Sequence, residues 1–302
     1  MTWIDALARA ALYRSCASTI LARLDARQKI LMYHGVVGSA AGGLERQLRY
    51  LKRWFRVVPL QEIVSQLSPS GDVALTFDDG LRNNRTVVLP ILKRLGLPAT
   101  FFVCPGLVEK SRWLWNHEAA ARLRRLPEKA RVELSALLSS PCQDVSGIVA
   151  WMKTLATGVR ASCEDAIRNA TPDFEPTQAE SEANDLMGWD ELNSLDPGLV
   201  TIGSHGHSHK ILTTLTPSEM VQEIEGSRTA LESKLKRTID LFCYPNGDYN
   251  QEVAELTRQH YRAAVTTFES VVPSGCDRLL LPRIPAASEM SVFALRMCRP
   301  QS

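Results

Sequence analysis

Two short polar runs contain the residue types from which a hydrolytic metal site is built. The first is TFDDG at residues 76–80, and the second is SHGHSH at residues 204–209. Two imidazoles and one carboxylate can hold a divalent ion and leave one coordination position open for water. A second carboxylate beside them can accept the proton of that water. Together, the two runs predict a metal-dependent hydrolase.

Each run also has a simpler interpretation when it is taken alone. Paired aspartates before a glycine are typical of a turn, and closely spaced histidines on a loop can form a surface that merely scavenges metal. The position of the two runs in the chain favours a site, because both follow apolar, β-prone residues at 73–75 and 199–202. Each run is therefore expected at the end of a strand.

The elements that must position these runs alternate along the chain. The patterns predict strands at 30–33, 56–58, 73–77, 100–103, 200–204, 239–244 and 262–267. They predict helices at 44–54, 60–67, 83–95 and 251–260, and another that opens at the capping box of residues 216–219. Such alternation predicts an α/β fold with a mostly parallel sheet, either open and doubly wound or closed into a barrel.

Both architectures bind ligands at the carboxyl ends of their strands. A third polar run, PNG at residues 245–247, follows another predicted strand. The three runs are thus expected to converge on one face of the sheet, which is better support for a site than any single motif.

The alternation stops between about residues 109 and 185. Residues 115–126, 127–138 and 145–155 have helical patterns, and residues 171–185 are acidic, contain two prolines and are expected to form a loop. We interpret the segment as a helical insertion, which could form a lid, a substrate wall or a packed decoration.

Composition narrows the class of protein. The chain has 302 residues, of which 45% are apolar and 23% charged, and its formal net charge is +2. These values indicate a globular protein without the long basic face of a dedicated nucleic-acid binder.

The sequence contains no run of about 18 apolar residues, so no transmembrane helix is predicted. Arginines interrupt any apolar core of a signal peptide before residue 24. Seven scattered cysteines without a C-x-x-C pair fit free thiols in a cytoplasm.

The N-terminal segment, residues 1–28, is expected to form an amphipathic helix over residues 4–27. Its basic residues outnumber its acidic ones, so the helix could lie on the anionic inner surface of a membrane. Packing on its own domain is the more common arrangement for such a helix.

Taken in order, the motifs resemble those of the polysaccharide deacetylases, the NodB-homology domains of carbohydrate esterase family 4. The resemblance extends from about residue 30 to residue 284 and includes the runs ILMYH at 30–34, LPATFFV at 97–103 and YPNG at 244–247. It implies a distorted (β/α)7 barrel over residues 29–290 that carries the insertion at about 109–185. Residues 291–302 would form a C-terminal tail.

The resemblance also implies roles for individual residues. Asp78 would be the general base, and Asp79, His205 and His209 would bind the metal. The third motif would line the substrate groove and offer a backbone N–H to the oxyanion, through Tyr244, Pro245 and Asn246. Zinc is the expected metal, with cobalt, nickel and manganese as alternatives. Metal-bound water would attack the acetyl group of an N-acetylated amino sugar in a polysaccharide, a cell-envelope glycan or a lipid-linked precursor.

The chain departs from the family pattern in three places. Many members have an arginine just before the proline of the third motif, and here Arg283 is the predicted substitute; a salt bridge within the barrel is the alternative role. Many members also have a late histidine that protonates the leaving amine, and no histidine follows His260. His34 is a substrate-contacting candidate by position, with a hydrogen-bonded core histidine as its alternative. His207 is additional to the family pattern and has no assigned role.

Three functions therefore remain open from the sequence. The first is N-deacetylation of an amino sugar. The second is an O-acetyl esterase or an amino-sugar deformylase on the same fold, and the third is a catalytically silent barrel that binds carbohydrate.

Overall fold

A computed structural model describes residues 13, 15 and 17–298 of the chain. Within them, seven parallel strands form a closed barrel in sequence order. The strands are β1 (Lys29–Tyr33), β2 (Val73–Phe77), β3 (Ala99–Val103), β4 (Val200–Ser204), β5 (Leu241–Cys243), β6 (Ala263–Glu269) and β7 (Leu281–Pro285). The barrel closes where Leu31 of β1 pairs with Ile284 of β7. The predicted seven-stranded α/β barrel is confirmed, and the open-sheet alternative is wrong.

The strands are almost continuously apolar because both of their faces are buried. All residues of β2 and β3 are buried. Side chains alternate between two clusters, as expected for a period of two. One cluster contains Ile30 and Phe102, and the other contains Leu31 and Phe101 together with residues of the surrounding helices.

One of the seven predicted strands is wrong, and one observed strand was missed. Residues 56–58 make only an isolated bridge, between Val57 and Val73. β1 pairs along the whole of β2, and β3 takes the other edge of β2 at Thr76 and Phe77. The seventh strand is instead β7, which follows a loop and contains two prolines. Those prolines obscured its β-pattern in the sequence.

Fourteen α-helices lie within the described residues. They are α1 (Ala17–Leu24), α2 (Ala41–Trp54), α3 (Leu60–Ser65), α4 (Leu89–Leu95), α5 (Pro105–Lys110), α6 (Trp115–Arg125), α7 (Glu128–Leu137), α8 (Val145–Met152), α9 (Thr157–Asn169), α10 (Gln178–Asn184), α11 (Trp189–Asn193), α12 (Pro217–Leu235), α13 (Gln251–His260) and α14 (Met290–Cys298). The predicted helix at 83–95 begins as a π-helical turn, Asn84–Val88, before it continues as α4. The capping box at Thr216 and Glu219 opens α12 as predicted.

The insertion contains α6 to α10 and has a small apolar core of its own, which includes Trp115, Leu123, Ile148 and Ile167. The loop predicted over residues 171–185 is wrong in part, because α10 lies within it. A capping box at Thr177 starts this helix: its backbone N–H donates to the Glu180 carboxylate at 2.8 Å. The prolines and acidic residues concealed this signature.

Both ends of the described chain pack on the barrel. Residues 1–12, 14 and 16 of the predicted N-terminal helix lie outside the described residues, and α1 is the part that can be described. Residues 291–298, which were expected to belong to a tail, lie in α14, which packs against α1 and α2. The six cysteines described are unpaired. No helix among residues 17–298 is long and apolar enough to cross a bilayer.

Candidate metal centre

The polar runs predicted to converge do lie together at the carboxyl ends of the strands. Asp78 and Asp79 directly follow β2, His205 directly follows β4, and the third motif follows β5. Asp79 has a φ of 74° and His209 a φ of 59°. Left-handed backbone is uncommon for residues other than glycine, and it concentrates at functional sites.

Asp79, His205 and His209 form a compact group of potential metal ligands. Asp79 Oδ1 lies 3.6 Å from His205 Nε2 and 3.5 Å from His209 Nε2. The three ligand atoms all lie within 4.8 Å of one another. Ligand atoms bound tetrahedrally to one zinc ion at about 2.0–2.1 Å are about 3.3–3.4 Å apart. The spacing therefore suits a divalent ion bound at its centre.

The surroundings of each group bear on how it could bind a metal. His205 Nδ1 donates to the Cys243 carbonyl at 2.8 Å, which directs its Nε2 toward Asp79. Burial alone would lower the pKa of His205, but its neighbours Cys243 and Asp79 outweigh burial and raise that pKa, so a metal ion would bind at Nε2 by displacing a proton. Burial lowers the pKa of His209 to about 3, which keeps its imidazole neutral. Burial alone would raise the pKa of Asp79, but its interaction with His205 outweighs burial and lowers that pKa. One carboxylate and two imidazoles are a ligand set typical of catalytic zinc sites.

Asp78 lies beside this group but has a different partner. Both of its oxygens accept hydrogen bonds from Arg283, from Nη1 at 2.7 Å and from Nη2 at 2.8 Å. Both side chains are buried, and Arg283 is 0% exposed. Burial alone would raise the pKa of Asp78, but the guanidinium outweighs it and holds that pKa below its usual range. The structure thus brings together the two residues predicted to act as base and supporting arginine.

Arg283 is fixed by further contacts inside the barrel. Its Nε donates to the Thr266 carbonyl at 2.8 Å, and its Nη1 also donates to Thr76 Oγ1 at 3.0 Å. Its Nη2 lies 3.3 Å from Cys243 Sγ. Because β2, β5, β6 and β7 all contribute to these contacts, the position of the guanidinium depends on closure of the barrel.

Cys243 is a neighbour of Asp78 that the sequence did not reveal as part of the site. Its Sγ lies 3.6 Å from Asp78 Oδ2, and Asp78, His205 and Cys243 form a second group with ligand-like spacing. Burial raises the pKa of the Cys243 thiol, whereas only the thiolate is a strong metal ligand. Arg283 already balances the charge of Asp78. The Asp79 group is therefore the better metal site.

His34 lies at the mouth of the site rather than in the core. Its side chain is 54% exposed, and its Nε2 lies 4.0 Å from Asp78 Oδ2. The alternative of a buried core histidine is therefore wrong. A cavity of about 520 Å³ adjoins His34 and is lined by residues of β1, α2 and the segment after β7.

The three residues of the third motif occupy different positions. Tyr244 is 0% exposed, so its ring supports the loop, and the prediction that it lines the groove is wrong. Pro245 is also buried and packs beside Gly206 of the histidine loop. Only Asn246 reaches the surface, where its Oδ1 accepts from Lys153 of the insertion at 3.0 Å. Nothing in the motif itself indicates that Tyr244 and Pro245 are buried.

Glu223 of α12 holds the histidine loop in place. It is 2% exposed, and its carboxylate accepts from the Ser208 backbone N–H at 2.8 Å and from Ser208 Oγ at 2.5 Å. His207 packs against Gly106 and does not belong to the ligand groups among the described residues. Sequence reasoning missed Glu223; the available signal was a glutamate next to Ile224 on the buried face of an amphipathic helix.

Comparison with known proteins agrees with this arrangement. The sequence profile of the family described as polysaccharide deacetylase matches residues 66–138 and 161–265, which is more than half of the chain. No curated protein sequence matches the chain.

Solved structures share the fold at low sequence identity. Streptococcus pyogenes deacetylase PplD, in complex with acetate, is 19% identical over 91% of this chain and 99% of that chain, with a TM-score of 0.60. IcaB from Ammonifex degensii is 16% identical over 89% of this chain and 97% of its own, with a TM-score of 0.56. A de-N-acetylase from Aggregatibacter actinomycetemcomitans is 16% identical over 87% of this chain and 96% of its own, with a TM-score of 0.57.

The family profile covers the two strand ends that carry Asp78, Asp79, His205 and His209. Its match to most of the barrel agrees with the closed sheet and with the ligand group at its carboxyl edge. The chain belongs to the polysaccharide deacetylase family.

Proposed function

We propose that this protein is a metal-dependent hydrolase that removes the N-acetyl group from an N-acetylated amino sugar. The observation that carries this proposal is that two adjacent carboxylates have different partners. Asp79 faces two imidazoles, whereas Asp78 is paired with a buried arginine. One carboxylate is thus suited to bind a metal, while its neighbour stays ionised and available as a base. When bound, a divalent ion supplies Lewis acidity, which polarises the acetyl carbonyl and makes water nucleophilic at neutral pH.

Asp78 accepts the proton of the attacking water in this proposal. Its carboxylate is held in one orientation by the paired hydrogen bonds from Arg283, and positioning of a base is a large part of its catalytic effect. The backbone N–H of Asn246 is the candidate donor to the oxyanion, because those of Tyr244 and Gly247 already donate to carbonyls.

His34 is the proposed donor of the proton that the leaving amine takes up. It is exposed at the mouth, and its Nε2 lies 4.0 Å from Asp78 Oδ2. The imidazole can therefore give a proton to the amine nitrogen and regain one from Asp78, which holds the proton taken from the attacking water. The C–N bond then breaks, and acetate and the free amino sugar are released.

Acetate release from N-acetylglucosamine oligomers and glycolipids tests the function. The protein is stripped of metal, reloaded with zinc, cobalt, nickel or manganese, and compared with Asp78→Asn. We expect release that depends on metal and falls by at least about a hundredfold in Asp78→Asn. Release that is equal in both proteins would exclude Asp78 as the base. Faster release from matched O-acetyl or N-formyl sugars would instead favour the esterase or the deformylase.

Zinc is the proposed metal, because two imidazoles and one carboxylate with an open position suit it. Metal content by mass spectrometry checks this in variants of the same loop. His205→Ala and His209→Ala should lose most of the bound metal, whereas His207→Ala should retain it. Equal metal content in all three variants would contradict the assigned ligands.

We further propose that α1 contacts an anionic membrane surface, which would place the enzyme at the inner face of a membrane. Ile20, Leu21 and Leu24 are 57%, 52% and 76% exposed, and the basic Arg23 lies among them. Such a face combines apolar area with positive charge. Flotation with anionic and neutral vesicles tests this: binding only to anionic vesicles, lost in a Leu21→Ser/Leu24→Ser variant, is expected. Equal flotation of that variant would contradict it.

A further inference from the structure

The insertion carries an open surface cavity that the proposed mechanism does not use. It has a volume of about 690 Å³ and lies between α6, α7 and α8. Its polar lining residues are Asn116, His117, Arg124, Arg131, Asp144 and Lys153, together with Ser146 at the start of α8. Ala120, Val145, Val149 and Ala150 complete the lining, so the cavity combines an apolar floor area with charged groups.

Positive charge dominates this wall. Arg124, Arg131 and Lys153 face one carboxylate, that of Asp144. Asp144 caps α8, and its Oδ1 accepts from the Gly147 N–H at 2.9 Å and from Ser146 Oγ at 2.5 Å. Its charge is thus directed to the start of the helix rather than to the three cations.

The cations of the cavity also differ from the other arginines of α6. Arg122 pairs with Glu118 at 2.8 Å, and Arg125 pairs with Glu180 at 2.5 Å. Within the described part of the chain, no ion pair joins Arg124, Arg131 or Lys153 to a carboxylate. Uncompensated cations that share one cavity attract an anion.

Arg131 has the fixed geometry that anion recognition requires. Its Nε donates to the Gln143 carbonyl at 3.1 Å and its Nη1 to the Leu126 carbonyl at 3.5 Å, and its side chain is half-buried. An anchored guanidinium presents its remaining N–H groups as a planar fork that matches phosphate oxygens. Two guanidinium groups and one ammonium can together bind several oxygens of a phosphate.

The cavity adjoins the metal centre. Lys153 Nζ donates to Asn246 Oδ1 at 3.0 Å, which joins the cavity wall to the third motif. His117 lies close enough to Asp79 and His34 for their charges to influence its pKa, which burial lowers, so its imidazole is neutral. Buried atoms of the same wall, His117 Nδ1 and Asn116 Oδ1, have no hydrogen-bond partner among the described residues. The wall of the cavity thus contacts the third motif, which follows β5 beside the ligand group.

We infer that this cavity binds a phosphate ester attached to the acetamido sugar whose acetyl group is removed. The substrate class would then be a sugar phosphate, either free or linked through its phosphate to a carrier. The inference rests on the proposed deacetylase function and names the substrate class of the same site.

Binding to the metal-free protein tests this inference without any need for turnover. Removal of the metal also prevents phosphate from binding to a metal ion. Calorimetry compares N-acetylglucosamine 1-phosphate with N-acetylglucosamine. We expect the phosphate compound to bind at least about tenfold more tightly, because hydrogen bonds to a charged group are strong. Its affinity should fall as NaCl is raised.

Variants locate the effect in the cavity. Arg124→Gln/Lys153→Gln should abolish the preference for the phosphate compound. Arg125→Gln is the matched control, because Arg125 is the next residue of α6 and lies outside the cavity lining, and it should keep the preference. Equal affinity for the two sugars, or a preference that persists in the double variant, would overturn the inference. Tighter binding of a glucuronate-containing N-acetylated disaccharide than of the phosphate compound would overturn the choice of phosphate.

Failure of this inference can be distinguished from failure of the proposed function. Acetate release from neutral sugars, without any preference for phosphate, would overturn the inference and leave the deacetylase function intact. A phosphate preference that depends on Arg124 and Lys153, in a protein that releases no acetate from any substrate, would support the cavity and contradict the deacetylase.

Discussion

At the scale of single residues, the centre depends on a buried ion pair next to the proposed metal ligands. Asp78 and Arg283 are 1% and 0% exposed, so neither charge is hydrated. The energetic value of such a pair is small, but loss of one partner leaves an uncompensated charge in the interior. The pair is therefore better explained by the orientation that it gives to Asp78 than by stability.

Arg283→Met should destabilise the protein more than its size suggests. Because Asp78 would remain buried without a partner, we expect a loss of about 3–5 kcal/mol in the free energy of unfolding. In Asp78→Asn/Arg283→Met both charges are removed, and this variant should be more stable than Arg283→Met. Urea denaturation of the wild type and the three variants measures the coupling between the two positions. A double variant as unstable as the sum of the single variants would contradict it.

At the scale of elements, the strand-to-helix loops hold the site through special backbone conformations. Gly247 ends the third motif with a φ of 80°, and a Cβ there would lie 2.7 Å from Thr267 Cβ on β6. The loop therefore depends on a residue without a side chain at this close approach.

Gly247→Ala should disturb the third motif and lower deacetylation. Gly275→Ala is its matched control, because Gly275 has a φ of 71° with nothing within 4 Å of its Cβ position. Both variants lose about 1–2 kcal/mol from the left-handed backbone, and only Gly247→Ala has the additional clash. Thermal unfolding and acetate release compare the two variants. Equal effects of both substitutions would show that the close approach is unimportant.

The helices of the insertion are joined by a partly buried carboxylate. Glu118 of α6 accepts from Arg122 at 2.8 Å and from Arg168 of α9 at 3.1 Å. Burial alone would raise its pKa, but the two arginines outweigh burial and lower it.

A lowered pKa in the folded state makes the contribution of Glu118 dependent on pH. The stabilisation is present above the pKa of the unfolded state and is lost as the pH falls through the lower pKa of the folded state. Glu118→Gln should therefore cost about 1–2 kcal/mol at pH 7, and its difference from the wild type should shrink under acidic conditions below about pH 4. Thermal unfolding at both pH values measures this. A difference that does not change with pH would contradict it.

At the scale of the whole molecule, helices from both ends of the described chain cover the barrel. Phe293 of α14 is 1% exposed and meets the Tyr50 ring of α2 edge-on, with centroids 6.1 Å apart. The last helix is thus part of the core, although its sequence suggested only a tail.

Phe293→Ala should cost about 3–5 kcal/mol, because it leaves a cavity in this core. Val221→Ala on α12 is the control, since Val221 is 40% exposed and its replacement should change stability by less than about 0.5 kcal/mol. Both variants should still bind metal at low temperature, because neither residue touches the ligand group. A small effect of Phe293→Ala on the unfolding midpoint would show that α14 is dispensable.

The sequence by itself determined the alternation of strands and helices and the position of the three polar runs at strand ends, and it singled out the residues of the proposed ligand group. These features are local: period, capping residues and motif order can be read within a few neighbouring residues. The same local signals failed for β7, for α10 and for α14, where prolines or a short apolar pattern gave no clear period.

Only the tertiary structure decided how residues far apart in the chain meet. Closure of the barrel places Arg283 of β7 against Asp78 after β2, and packing of α12 brings Glu223 to the histidine loop. It also exposed His34, buried Tyr244 and placed the cations of the insertion next to Asn246. Such contacts follow from strand pairing and from the angle at which helices pack, and these depend on the whole chain rather than on any local pattern.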